Sequence, residues 1–242
     1  MKFNRYQAGV LAERYLDVFM GDPTGLFFLV FQPIAVAICT GLVWQGTQAT
    51  PTLYFVLVFA AIFFGCVNAC REIVKEKAIF QRERLVGLEI SAYIASKLGV
   101  LAMLGLGQTL LFYLGVRYFL VLEGNPLLML ATIYASLLSG TALGLGISAL
   151  VVSDVMALAL VPVALIPQLL FSKIVMPKKS LTGALQWLEQ LTLVKWGYQA
   201  MEEIVKRSPD WGKIGESILW LGLIGGGLVL LSALILKLKE SL

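Results

Sequence analysis

The side chains that most enzymes use for catalysis are scarce in this sequence. Histidine is absent from all 242 residues, which excludes Ser-His-Asp and Cys-His nucleophilic catalysis and histidine-ligated zinc within the chain. Cys39, Cys66 and Cys70 lie inside apolar runs and match no metal-binding spacing, and buried cysteine usually packs as a small hydrophobic residue. The sequence also contains no Gly-x-x-x-x-Gly-Lys-Ser/Thr loop, so ATP binding by that route requires another domain or another chain.

The charged residues concentrate between residues 71 and 88, where long apolar runs flank the sequence REIVKEKAIFQRERLVGL. Each of these charges would cost a few kcal/mol at the centre of a bilayer. The stretch is therefore expected on the aqueous side of a membrane, as a helix that continues the second span, with Glu72 and Lys75 as a surface ion pair. The residues alone leave two interpretations open: a helix that transmits force from a cytoplasmic partner, or a solvated loop that carries basic residues.

The composition is that of a polytopic membrane protein. Hydrophobic residues make up 59% of the chain and charged residues 14%, whereas soluble domains average about 25% charged residues. Because about 20 apolar residues span the hydrocarbon core as a helix, we expect one all-α domain over 1–242 with six membrane spans. They are predicted at 26–45, 52–70, 92–116, 126–151, 155–171 and 216–236. Pro33, Pro162 and Pro167 are expected to bend or break the first and fifth spans.

An amphipathic pattern precedes the first span. Residues 5–20 place Tyr6, Leu11 and Tyr15 near one face, and the sequence Gly21-Asp22-Pro23 follows. This pattern predicts a helix that lies along the membrane surface and ends at that Gly-Asp-Pro sequence.

The distribution of basic residues predicts the topology. Lysine and arginine cluster at the amino terminus, in residues 71–91 and in the carboxyl-terminal tail, so both termini and the charged stretch are expected in the cytoplasm. Residues 172–215 are then external despite their lysines, because long connections cross the membrane largely regardless of charge. Their Trp and Tyr residues favour a segment that dips into the interface and returns before the last span.

Small residues recur at helical spacing in two predicted spans. Such stripes permit close contact between helices, but they do not distinguish self-association from packing within one chain. They consist of Ser136, Gly140, Gly144 and Ser148 in the fourth span, and of Gly222 and Gly226 in the sixth.

Aromatic and amide side chains mark a second feature of the spans. Phe55, Phe59 and Phe63 recur every four residues in the second span, and Asn68 follows near its cytoplasmic end. Such side chains either contact a substrate or simply pack against neighbouring helices and lipid, and buried amides often bond between helices. Gln32, Gln108 and Gln168 are further amides at membrane depth.

The charged stretch resembles the link between the second and third spans of ABCG-type exporters. The resemblance rests on an aromatic residue, an Arg-Glu-Arg run, a glycine and a later tyrosine and lysine, which are here Phe80, Arg82-Glu83-Arg84, Gly87, Tyr93 and Lys97. It extends to residues 5–20 with Arg14-Tyr15, which resemble the family's connecting helix, and to Pro177, Leu185 and Trp187, which resemble its external re-entrant segment.

This resemblance implies the permease domain of an ATP-driven exporter in a bacterial inner membrane. Arg82, Glu83, Arg84 and Gly87 would then form a coupling helix against a nucleotide-binding domain on the same or a separate chain, and that domain would bind ATP and Mg. The second span would line a cavity at the interface with a second permease copy, with Phe59, Phe63 and Asn68 as candidate substrate contacts. The substrate would be lipid-like, amphipathic or a glycan, and no nucleic acid is expected as a partner.

The sequence departs from the family pattern in two places. Leu98-Gly99-Val100-Leu101 follows Lys97, where an acidic residue and a proline often occur, and residues 172–215 contain no cysteine, unlike many eukaryotic members. Two alternatives of other classes stay open: a non-transporting membrane anchor or assembly subunit, and a membrane-embedded lipid-modifying enzyme.

Overall fold

The protein is entirely helical over the residues that its computed structural model describes, which are 4–172 and 184–240. The helices are α1 Arg5–Met20, α2 Pro23–Trp44, α3 Pro51–Ala69, α4 Lys77–Leu85, α5 Ile90–Phe119, α6 Pro126–Leu150, α7 Asp154–Leu170, α8 Ala184–Gln190, α9 Leu193–Val205 and α10 Trp211–Glu240. One 3₁₀ turn, Val74–Glu76, precedes α4. The expected all-α membrane fold is confirmed.

Five of the described helices are long and apolar enough to cross a membrane, namely α2, α3, α5, α6 and α10. The fifth predicted span, 155–171, corresponds to α7, which is apolar but has 17 residues. At 1.5 Å per residue it is ~26 Å long, slightly less than the ~30 Å hydrocarbon core. The prolines were expected to bend or break their spans, and they do not break them: α2 continues through Pro33, and α7 continues through Pro162 and Pro167.

Three of the spans begin with the same local chemistry. Asp22, Thr50 and Asn125 each accept hydrogen bonds from backbone amides of the first helical turn, and a proline follows each of them as the first helical residue. The side-chain oxygen satisfies amides that have no partner inside the helix, and proline lacks an amide that would need one. Each of these three starts is therefore fixed by two adjacent residues.

Helix α3 lies at the centre of the fold against α6. Twelve of its 19 residues are buried, and glycine allows the two backbones to approach closely. A Cβ atom at Gly140 would collide with the carbonyl oxygen of Ile62, one at Gly144 with that of Cys66, and one at Gly65 with that of Leu137. The stripe in the fourth predicted span is thus used for packing inside the chain. In contrast, a Cβ at Gly222 or Gly226 would meet nothing within 4 Å.

The segment before the last span is described only in part. Pro177 and the side chain of Leu185, which contributed to the resemblance, lie outside the described residues. Helix α9 packs on the core through Val194 and Met201, and Trp196 stacks on Trp220 of α10 with 5.3 Å between ring centroids. Gln168 of α7 accepts hydrogen bonds from the first amides of α9, which fixes where that helix begins.

Candidate functional site

The charged stretch does not continue α3 as an uninterrupted α-helix. Helix α3 ends at Ala69, and the chain then makes turns such as the one in which the Glu72 amide donates to the Ala69 carbonyl at 3.1 Å. The prediction that this stretch continues the second span as a helix is therefore wrong. Helix α4 is a separate, nine-residue helix.

A serine of α6 stabilises this turn. The Ser148 hydroxyl accepts hydrogen bonds from the amides of Ile73 and Val74 at 2.9 and 3.0 Å. The side chains of Ile73 and Val74 are buried at the same place. Buried amides without partners cost about 1–3 kcal/mol each. By accepting from these two amides, Ser148 stabilises the turns that separate α3 from α4.

Three charged side chains from the segment just before α4 lie close to one charged side chain of α5. Lys97 of α5 is 1% exposed, and its Nζ lies 2.8 Å from Glu76 Oε2 and 3.6 Å from Glu72 Oε2. Lys75 pairs with the other oxygen of Glu72. The predicted Glu72–Lys75 pair therefore forms, but Glu72 is buried, so the pair is not a surface pair. We call Glu72, Lys75, Glu76 and Lys97 the charge cluster.

Aromatic residues from three helices enclose the charge cluster. The ring centroid of Tyr15 in α1 lies 3.6 Å from Lys97 Nζ, a cation–π contact. Tyr93 of α5 donates from its hydroxyl to Glu76 at 3.4 Å and packs against Phe80 of α4 with 4.7 Å between centroids. Burial, reinforced by the charge of Glu72, raises the pKa of the Tyr15 hydroxyl far above its usual range, so this group stays neutral.

Among the predicted coupling residues, Glu83 contacts α1, whereas Arg82 and Arg84 donate to backbone carbonyls near α4. Glu83 forms a bidentate ion pair with Arg14. Arg14 Nη1 donates to Glu83 Oε1, and Arg14 Nη2 donates to Glu83 Oε2 at 3.4 Å. The hydrogen bond to Glu83 raises the pKa of the Arg14 guanidinium above its usual value. Arg84 donates to the carbonyl of Leu88, and Arg82 donates to the Ala78 carbonyl at 3.4 Å and is exposed.

The turn after α4 is held by Gln7 of α1. Its amide nitrogen donates to the Gly87 carbonyl at 3.3 Å, and its amide oxygen accepts from the Glu89 amide at 3.2 Å. Gly87 has φ +96°, a left-handed conformation that residues with a Cβ rarely adopt. The glycine predicted at this site is therefore required by the turn that returns the chain to α5.

The outer surface of the α4 turn exposes apolar side chains. Leu85 is 88% exposed and Val86 is 86% exposed. They lie at the carboxyl-terminal end of α4, directly after Arg82 and Arg84 in the sequence. Single exposed apolar residues are ordinary, but two nearly complete exposures beside cations at a fixed turn provide a small contact surface.

The predicted cavity residues lie on the one incompletely buried stripe of α3. Phe63 is 36% exposed, and Phe59 is half-buried and stacks on Phe55 with 6.2 Å between centroids. Asn68 donates to Gln108 of α5 at 2.7 Å. The structure thus places the two phenylalanines together on an accessible face, whereas Asn68 and Gln108 form a bond between helices.

Sequence reasoning assigned no role to Lys97, Glu76 or Gln7. One signal was available for Lys97, because an ionisable residue inside an apolar run is usually paired and functional. Its partners could not be read from the sequence, since they depend on the turn that follows α3.

Comparison with known proteins agrees with this architecture. Residues 6–205 match the family model described as ABC-2 type transporter. The chain is also 30% identical over 153 residues to the ABC transporter ATP-binding/permease protein Rv1747 of Mycobacterium tuberculosis. That match covers 58% of this chain and 17% of the relative. Because the family model covers most of its length, this chain belongs to the ABC-2 type transporter family, as a membrane component that implies an ABC ATP-binding partner.

Proposed function

We propose that the chain is the permease of an ABCG-like exporter and that α4 is the coupling helix that receives motion from the ATP-binding partner. The observation that carries this proposal is the two-sided environment of α4. Leu85 and Val86 project from its turn into solvent, whereas the charge cluster, Ser148 and Arg14 connect the same segment to α5, α6 and α1. A segment that is exposed on one side and bonded to three helices on the other can pass a displacement to the membrane helices.

ATP and Mg²⁺ belong to the partner in this proposal. The partner changes the permease only if it binds the inward-open and outward-open states with different free energies. The contact surface around Leu85, Val86 and Arg82 is where that difference would act. Both termini then lie in the cytoplasm of a bacterial inner membrane, on the same side as α4.

The accessible stripe of α3 supports a cavity between two copies of the permease. Phe59 and Phe63 lie on an otherwise buried helix, so a second copy that faces this stripe would enclose an aromatic-walled space. Aromatic walls suit a lipid-like, amphipathic or glycan substrate, because rings provide large apolar contact areas and also stack on sugars. Phe63→Ala should lower transport, whereas Phe28→Ala on the exposed face of α2 should not.

A comparison of Glu83→Ala with Arg14→Ala tests the coupling role. Both variants break the same ion pair, so a purely internal role for Glu83 predicts equal losses of transport. Contact with the ATP-binding partner predicts a larger loss for Glu83→Ala, with ATP hydrolysis no longer linked to transport. Glu13→Ala provides the control, because Glu13 is an exposed neighbour of Arg14 on the same helix.

Two outcomes would contradict the proposal. Unchanged transport in Glu83→Ala and in a Leu85→Asp, Val86→Asp double variant would exclude α4 as the coupling contact. An assembled complex that hydrolyses ATP but moves no substrate would instead identify the chain as an anchor or assembly subunit.

A further inference from the structure

A second site adjoins α4 and shares Arg82 and Leu85 with its contact surface, but it includes no residue of the aromatic stripe of α3. It is a cavity of about 700 Å³ between α4, the end of α6 and the end of α10. This volume falls within the ~300–1,000 Å³ typical of sites for small molecules.

The described residues of the cavity wall include several cations. Four of its lining side chains are cationic, namely Lys77, Arg82, Arg84 and Lys239, and none of the described lining residues is Asp or Glu. Neither Lys77 nor Lys239 has a carboxylate partner within the described ranges. An anion would therefore be attracted to this cavity.

Lys239 is held in a defined position. Its ammonium group donates to the carbonyls of Ala149 and Leu150 at 2.7 and 2.8 Å, which are unpaired carbonyls at the end of α6. The carboxyl end of a helix carries only about half a negative charge. These backbone carbonyls therefore orient the Lys239 ammonium group without neutralising its positive charge.

Apart from Gln81 and Ser148, the rest of the described cavity wall is apolar, and much of it comes from the ends of predicted spans. Ile73 follows the end of α3, Val151 follows the end of α6, and Leu236 lies in the last turns of α10. The cations come from α4 and the final residues of α10. The site therefore combines an apolar wall contributed by span ends with a charged rim beside the aqueous phase.

We propose that this cavity binds an anionic phospholipid of the adjacent leaflet, with the phosphate among Lys77, Arg82 and Lys239 and an acyl chain along Leu236 and Val151. Basic pockets between membrane helices on the cytoplasmic side are suited to anionic headgroups. A free phosphate would use the cations but leave the apolar wall uncovered, and an acidic protein segment would not need an apolar wall formed by the ends of membrane spans. This proposal goes beyond transport and does not depend on it.

The test measures binding of a photo-crosslinkable phosphatidylglycerol to the assembled transporter in phosphatidylcholine nanodiscs at 0.15 M salt. Lys77→Gln with Arg82→Gln should weaken binding about 30-fold, or ~2 kcal/mol at ~1.4 kcal/mol per factor of ten. Arg71→Gln with Lys237→Gln removes the same charge outside the cavity lining and should bind like the wild type. Ala78→Trp keeps every cation but fills the cavity from the exposed side of α4, and it should also lose the crosslink.

Four results of the lipid-binding assay would overturn the proposal. They are equal binding by the cavity and control double variants, retention of the crosslink in Ala78→Trp, equal competition by phosphatidylcholine, and displacement by inorganic phosphate as effectively as by unlabelled phosphatidylglycerol. The last would assign the cavity to a free phosphate. Crosslinked peptides that place a segment of the ATP-binding partner in the cavity would overturn it as well. Binding is measured without nucleotide, so the result is independent of whether α4 couples to transport.

Discussion

Removal of the Lys97 charge should destabilise the protein more than removal of any exposed charge. At an effective dielectric constant of 20, charges 2.8 and 3.6 Å apart attract by roughly 6 and 5 kcal/mol before desolvation is subtracted. Loss of one partner from a buried pair typically costs about 3–5 kcal/mol, because the other charge stays buried without compensation. Lys97→Met keeps an unbranched side chain that is only one atom shorter and removes the ammonium group, so the measured cost reflects mainly the loss of the charge.

The same argument ranks the other variants of the charge cluster. Glu76→Gln should cost less than Lys97→Met, because Glu72 still lies 3.6 Å from Lys97. The double variant should cost less than the sum of the two single variants by about 0.5–3 kcal/mol, which is the range for directly interacting residues. Lys75→Met is the matched control: it removes the same charge from Glu72, but its side chain is 36% exposed, so about 1 kcal/mol or less is expected.

Thermal unfolding of the purified protein in detergent provides the measurement. For a chain of this size 1 kcal/mol corresponds to about 2–4 °C, so Lys97→Met should lower Tm by roughly 6–20 °C. Equal shifts for Lys97→Met and Lys75→Met would show that burial of the pair is not what stabilises this region. Strict additivity in the double variant would show that Lys97 and Glu76 do not interact.

Three further predictions test the backbone arrangement around α4 and α3. Gly87→Ala should cost roughly 1–2 kcal/mol through its left-handed backbone alone, since no heavy atom lies within 4 Å of the added carbon, and its Tm should fall accordingly. Ser148→Ala should cost about 2–6 kcal/mol by leaving two buried amides unpaired at about 1–3 kcal/mol each, and it should increase hydrogen exchange at Ile73 and Val74. Gly140→Val should prevent folding, detected as loss of monodisperse protein in size-exclusion chromatography, whereas Gly226→Val should not.

Local features of the fold could be predicted from the sequence because they depend on local chemistry. Residues 5–20 were expected to form one helix, and α1 runs from Arg5 to Met20. The amphipathic pattern defines its body, Asn4 caps its start, and Gly21 follows its end. The main spans could be predicted within a few residues for the same reason, since apolar length alone identifies them.

The environment of the charged stretch could not be predicted, because it depends on contacts distant in the sequence. The hydroxyl that turns the chain after α3 comes from Ser148, 75 residues beyond Ile73. The partner of Glu83 is Arg14, 69 residues earlier. The pattern of neighbouring residues predicts a continuous helix and a surface ion pair. The structure instead has turns after α3 and a buried charge cluster.

The arrangement of these contacts determines which membrane helices can respond to α4. Tyr15 and Tyr93 lie on different helices but meet the same cluster, so α1 and α5 cannot move apart without breaking contacts to Lys97 and Glu76. Among the described residues, α6 is linked to this segment by two hydrogen bonds from neutral groups at Ser148, each worth about 0.5–1.5 kcal/mol net, and by no ion pair. A push on α4 should therefore displace α1 and α5 together, with α4 sliding relative to α6. Since the backbones of α6 and α3 pack closely together, α1 and α5 would then move relative to the α3–α6 pair. This motion would change the space beside the exposed stripe of Phe59 and Phe63.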